Sequence, residues 1–138
     1  MIKKAMLFLV WFLTVPPAHA EKMTEAQQFG MLAGVALACG STTALYKYEE
    51  IASRYFANTT PNETVEKELK NQYVRTKVIG YREQKLKMSD CGSTLNRFMQ
   101  MPLMQFKLFS DGSLQTPQGQ YILPRGQHQF NPAAQRIY

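Results

Sequence analysis

Apolar residues recur at helical spacing through most of the chain, and they change period only near its end. The first such stretch carries Ala26, Phe29, Leu32, Ala33, Ala36 and Cys39 on one side. Thr24 opens it as an N-cap, with Gln27 three residues on, the spacing of a capping box. Gly30 and Gly34 form a G-x-x-x-G pair and, with several alanines, make this helix slim. In an exported chain that pair predicts close approach of a second helix rather than pairing inside a membrane. Gly40 ends or kinks it. A second helix is predicted over 43–57, capped by Ser41 or Thr42, with Leu45, Tyr48, Ile51, Ala52 and Tyr55 on one face. Lys47, Glu50 and Arg54 point elsewhere, and Glu50 and Arg54 stand four apart, a favourable surface pair. The third helix is expected to start with Thr60 as cap, Pro61 in the first helical position and Glu63 in the third. Its inner face reads Val65, Leu69, Tyr73, Val74, Val78 and Tyr81. Its outer face carries Glu63, Glu66, Lys67, Lys70, Arg75, Lys77, Arg82 and Glu83. Gly80 weakens the middle by about 1 kcal/mol relative to alanine and marks a bend. Beyond it, either Ser89-Asp90 caps a fresh helix with Cys91, Leu95, Phe98 and Met99, or one helix runs through to Gln100. Pro102 stops both.

After Pro102 the period drops to two: Met104, Phe106 and Leu108 alternate with Gln105 and Lys107, a short strand. Ser110-Asp111-Gly112-Ser113 is a turn, and 114–123 can return as a second strand interrupted at Pro117 and Gly119. Past Pro124 the chain is rich in Gln, Pro and Gly, and disorder is expected there in isolation. A lone hairpin is marginal in water. The tail therefore either patches the helical core or serves as a docking arm that presents Phe106, Phe109, Tyr121 and Ile122 to another protein.

The start of the chain reads as an address. Lys3 and Lys4 precede an apolar run from Ala5 to Val15, Pro16-Pro17 break it, and Ala18-His19-Ala20 fits a cleavage site. The run is too short to be a permanent span, so no stable membrane segment is expected after cleavage, although an uncleaved anchor is the alternative. The expected organisation is a signal peptide over 1–20, a helical domain over 21–101 and an extended, partly disordered arm over 102–138. The fold class is mainly α, a small helical bundle with one disulfide and an extended or short β-hairpin arm. The basic, compact leader looks bacterial and implies the periplasm or secretion. Removing Lys3 and Lys4 from the formal charge of +6 leaves +4. The signs are mixed and no basic stripe is visible, so no nucleic-acid partner is expected.

Cys39 and Cys91 each open the phrase Cys-Gly-Ser-Thr. An even cysteine count in an exported chain implies a bridge, worth about 4 kcal/mol in the chain-entropy model. A redox pair wants the two close together as C-x-x-C. Zinc wants four ligands, and the mature chain offers two cysteines and one histidine. A lipid anchor at Cys39 would follow Val35-Ala36-Leu37-Ala38, but Ala36 stands where a large aliphatic is usual.

Catalysis by a histidine base rests on His128 alone, in a stretch expected to be loose, so a serine triad or cysteine–histidine pair has no anchor. A pair of carboxylates from Glu49, Glu50, Glu63, Glu66, Glu68 and Glu83 is compatible with composition, though most sit beside lysine or arginine. There is no glycine-rich phosphate loop, and no cofactor or metal is expected. Two sequons, Asn58-Thr59-Thr60 and Asn62-Glu63-Thr64, read as the polar turn between the second and third helices.

A small-residue first helix runs into Cys39-Gly40, a second helix carries Phe56-Ala57, and a long third segment reaches Cys91. This order resembles the pilotin class of small periplasmic proteins, which in type II secretion systems bind an outer-membrane secretin's tail. The resemblance covers roughly residues 24–98 and is architectural. The mature chain lacks tryptophan, the tail after Pro102 has no counterpart, and no groove residues carry over. It implies a protein partner. With the missing catalytic set and the apolar tail, the expected function is a non-enzymatic periplasmic adaptor or assembly factor, in a secretion or conjugation apparatus. A periplasmic chaperone or inhibitor, and a hydrolase with paired carboxylates, are the other readings.

Overall fold

The structure, a computed structural model, describes residues 22–138, so the expected signal peptide lies outside the described residues. Four helices, α1 (Glu25–Ala38), α2 (Thr42–Thr59), α3 (Glu63–Lys85) and α4 (Cys91–Met99), precede three short strands, β1 (Lys107–Leu108), β2 (Leu114–Gln115) and β3 (Tyr121–Ile122). α1 begins with the expected capping box: Gln27 N donates to Thr24 Oγ1 at 3.2 Å and Thr24 N to Gln27 Oε1 at 2.8 Å. The start of α3 differs from the sequence expectation. Pro61 forces the preceding residue into extended backbone, so Thr60 (φ −104°, ψ 149°) closes α2 instead of capping α3. Its hydroxyl donates to Phe56 O at 2.6 Å. The cap passes to Asn62, whose Oδ1 accepts from Val65 N at 3.0 Å. α3 then runs through Gly80 to Lys85, and a 3-10 turn at Met88–Asp90 separates it from α4.

α1 and α3 run parallel, because their contacts advance together along both. Thr24 Oγ1 donates to Gln72 Oε1 at 2.8 Å. Next, Gly30 lies against Tyr73 and Thr76, and Gly34 against Lys77 and Tyr81. Cys39, just past the end of α1, is disulfide-bonded to Cys91 at the start of α4, with 5.4 Å between Cα atoms. A methyl on Gly30 or Gly34 would collide with the carbonyl oxygen of Tyr73 or Lys77, and one on Gly80 with that of Met31. Two backbones in contact admit only small side chains between them, and this corrects the expected inner face of α3. Its buried residues are Tyr73, Thr76, Gly80 and Gln84. Leu69 is half-buried, while Val65, Val74, Val78 and Tyr81 are exposed.

α2 closes the bundle with an aromatic core. Tyr48 is fully buried, donates to Phe29 O at 3.1 Å, and packs its ring 4.9 Å from that of Phe98. The same apolar cluster takes in Leu103, Met104, Leu108 and Leu114, so the arm helps to build the core. Its strands form an antiparallel meander in the order β1-β2-β3, with Leu108 opposite Leu114 and Leu114 opposite Ile122. Asn58 Nδ2 fastens the meander to α2, donating to Gly112 O at 2.8 Å and Ile122 O at 3.1 Å.

The disorder expected past Pro124 gives way to a return path. Arg125 Nη1 donates to Ala57 O at 2.8 Å and to Glu66 Oε1 at 3.0 Å. Ile137 N donates to Leu108 O at 2.7 Å. Gln127, one of the residues that made this stretch look loose, ties it to the β1–β2 turn, donating through Nε2 to Asp111 Oδ2 at 3.0 Å. Both sequon asparagines likewise have structural partners in the turn, Asn58 on the meander and Asn62 on α3.

Candidate interaction surface

α3 has two unlike faces because its sequence carries two stripes at helical spacing. Thr76 and Gly80 fit the glycine face of α1, and their small size lets that face close. Val74, Val78 and Tyr81, spaced four and three apart, follow a second line along the helix. They are 58%, 45% and 37% exposed. Aliphatic side chains usually go inside; here the helix buries its small and polar residues and turns a valine row outward. Lys67, Lys70, Lys77 and Lys85 each stand three, four or seven residues from a member of this row and so border it. Lys85 Nζ lies 5.3 Å from the centroid of the Tyr81 ring, within cation–π range.

Beside the row, α2 and α3 diverge into a cleft of about 200 Å³ lined by Glu49, Ala52, Phe56, Lys70, Tyr73 and Val74. Polar ties cross it. Lys77 Nζ pairs with Glu49 Oε1 at 2.8 Å, and Tyr73 OH donates to Glu49 Oε2 at 2.9 Å. Burial first, and then the negative charge of Glu49, push the Tyr73 hydroxyl well above the ordinary tyrosine range. It stays a neutral donor. At the cleft's other end Glu66 accepts from Lys70 at 2.6 Å and from Arg125 at 3.0 Å. The Lys70 hydrogen bond foremost, then Arg125, holds its carboxyl below the usual range against the opposing effect of burial. A wider depression of about 900 Å³ lies over the first turn of α2 and Tyr138. Its lining includes small and hydroxyl-bearing residues, and Lys47 is its one charged side chain.

The residues singled out from sequence are dispersed. Cys39 and Cys91 are bonded to each other, which takes the sulfur a lipid anchor at Cys39 would need. Of the four arm residues, Phe106 and Ile122 are half-buried against the core. The Phe106 ring lies 6.2 Å from that of Tyr55. Phe109 and Tyr121 meet each other and Phe130, with Tyr121 stacked on Phe130 at 4.1 Å. Tyr121 is exposed, but the four form no single patch. His128 is exposed beyond β3. Glu49 and Glu66 are engaged in ion pairs. The outward row of α3 was missed because valines at helical spacing read as core. The signal that identifies it is the match of Gly30 and Gly34 with Thr76 and Gly80, small residues four apart on two helices. Compared with known proteins, the chain matches no family model, no curated protein and no solved structure.

Proposed function

We propose that the protein is a non-enzymatic adaptor or assembly factor of the bacterial periplasm, acting by protein–protein contact in a secretion or conjugation apparatus. The observation that carries this reading is the outward row Val74, Val78 and Tyr81 on α3. All three side chains are more than a third exposed, and burying each valine on a partner would be worth on the order of 1 kcal/mol or more. The lysine border favours an apolar segment flanked by acidic residues, since opposite charges speed encounter and fix register. Export is supported by the leader pattern of Lys3, Lys4 and the apolar run, and by the Cys39–Cys91 bridge. The arm acts in this account chiefly as a brace. Its apolar side chains fill the core or each other, and the contact passes to α3.

A photo-crosslinking amino acid placed at position 78 in living cells tests this, with exposed position 83 on the far side of the same helix as control. The expected result is one adduct of discrete mass from position 78 and none from position 83. A ladder of many adducts from position 78 would favour the chaperone reading, in which the row receives several clients. No adduct at all from a protein that accumulates folded in the cell envelope would remove α3 from the account.

A further inference from the structure

At the end of the bundle away from the disulfide, the start of α1, the later turns of α2 and the segment 101–106 enclose a pocket of about 240 Å³. Three of its walls are aromatic: Phe29, Tyr55 and Phe106. The Tyr55 ring is steeply inclined to both neighbours, 66° to Phe29 at 5.8 Å and 61° to Phe106 at 6.2 Å. Such angles wall a space rather than fill it with a stack. Met101 and Leu103 close the apolar side. The charge in the lining comes from Glu25, an exposed carboxylate that makes no ion pair among the described residues. No basic side chain lines the pocket. Burial foremost, and then a hydrogen bond to Glu25, push the Tyr55 hydroxyl up to about 12, so the phenol stays neutral.

Aromatic faces carry negative potential, and they attract a cation that sheds water easily. A carboxylate beside them repels anions and strengthens that preference. A small hydrated metal ion would have to lose its water to an apolar wall, whereas a positive charge shielded by methyl groups or spread over a plane would not. We propose that the pocket formed by Phe29, Tyr55, Phe106 and Glu25 binds an organic cation of the quaternary-ammonium or guanidinium kind. This site is separate from the outward row of α3 and does not depend on the adaptor reading. The cation is either a free small molecule or an arginine side chain offered by a partner, and the chemistry is the same for both.

The test is an NMR titration of the full mature chain with tetramethylammonium, methylguanidinium and tert-butanol, the last a neutral ligand of comparable shape. Tetramethylammonium or methylguanidinium should shift the Phe29, Tyr55 and Phe106 ring signals saturably and bind about tenfold more tightly than tert-butanol. Tighter binding of tetramethylammonium assigns the site to a free alkylammonium, and tighter binding of methylguanidinium assigns it to a partner's arginine. Glu25→Gln, at an exposed position, should weaken both cations and leave tert-butanol unchanged. Phe106→Leu, which keeps the apolar fill and removes the ring, should weaken the cations again. Equal affinity for the cations and tert-butanol would reduce the site to an ordinary apolar cavity and overturn the proposal. So would ring signals that do not move, or cation binding indifferent to Glu25→Gln.

Discussion

α3 meets its two helical neighbours in opposite ways. Against α1 it presents Thr76 and Gly80, and the two backbones touch along a parallel seam ended by the Cys39–Cys91 bridge. Against α2 it stands apart, joined by side chains that cross a cleft: Tyr73 and Lys77 to Glu49. The first contact is filled by having almost no side chains and the second is left incomplete. A helix that gives its small residues to the inside and its valines to water is not arranged for internal stability alone. The difference teaches that the seam holds the body together and frees the far side of α3 for another use.

The seam should therefore be sensitive and the open side tolerant. The largest loss is expected from the double variant Cys39→Ser, Cys91→Ser. Releasing a bridge across 52 residues removes about 4 kcal/mol in the chain-entropy model, read as a lowered urea midpoint. A loss below about 1 kcal/mol would mean that the glycine seam holds itself without a covalent end. Next comes Gly34→Ala. Its new methyl meets the Lys77 carbonyl, and because backbone rather than a flexible side chain must yield, about 2 kcal/mol should be lost. A neutral result would show that the helices stand further apart than a glycine contact allows.

A third prediction concerns the tie between the arm and α3. Glu66, held by Lys70 and then Arg125, has its carboxyl depressed below its ordinary 4.5 in the folded state. Its stabilisation is thus complete above that value and fades as pH falls through the lower, folded one. The urea midpoint of the wild type should drop on acidification below about pH 4.5 more steeply than that of Glu66→Gln. Parallel curves would remove this ion pair from the account. The smallest effect on stability belongs to Val78→Ser. On an exposed face it should change the unfolding free energy by no more than about 0.5 kcal/mol, yet it should abolish the crosslinked adduct read from neighbouring position 74. A loss above about 2 kcal/mol would place Val78 in the core.

Much of the fold could be read from the chain. The Thr24–Gln27 capping box set the start of α1, and the cysteines announced the bridge that the structure contains. The orientation of α3 was harder. Val74 and Val78 follow helical spacing as faithfully as Thr76 and Gly80, and hydrophobicity alone favours the valines as core. Only the pairing with Gly30 and Gly34, a property of two segments together, favours the small stripe. The cap of α3 was misread for a local reason, the constraint that Pro61 imposes on Thr60. The hairpin of the arm was legible from its period of two and the Ser110–Ser113 turn. How the arm docks on the helices was not, because hydrogen bonds such as Asn58 to Ile122 O join positions 64 apart. The apolar tail directed attention to Phe106 and Ile122 because nothing in the sequence shows that α2 is there to receive them.

Which side of α3 faces water is measured directly by methyl NMR with a soluble paramagnetic probe. The methyl signals of Val74 and Val78 should broaden strongly at low probe concentration while that of Thr76 persists. A protected Val74 and Val78 beside a bleached Thr76 would mean that α3 is turned the other way, with its valines inside and no outward row to meet a partner.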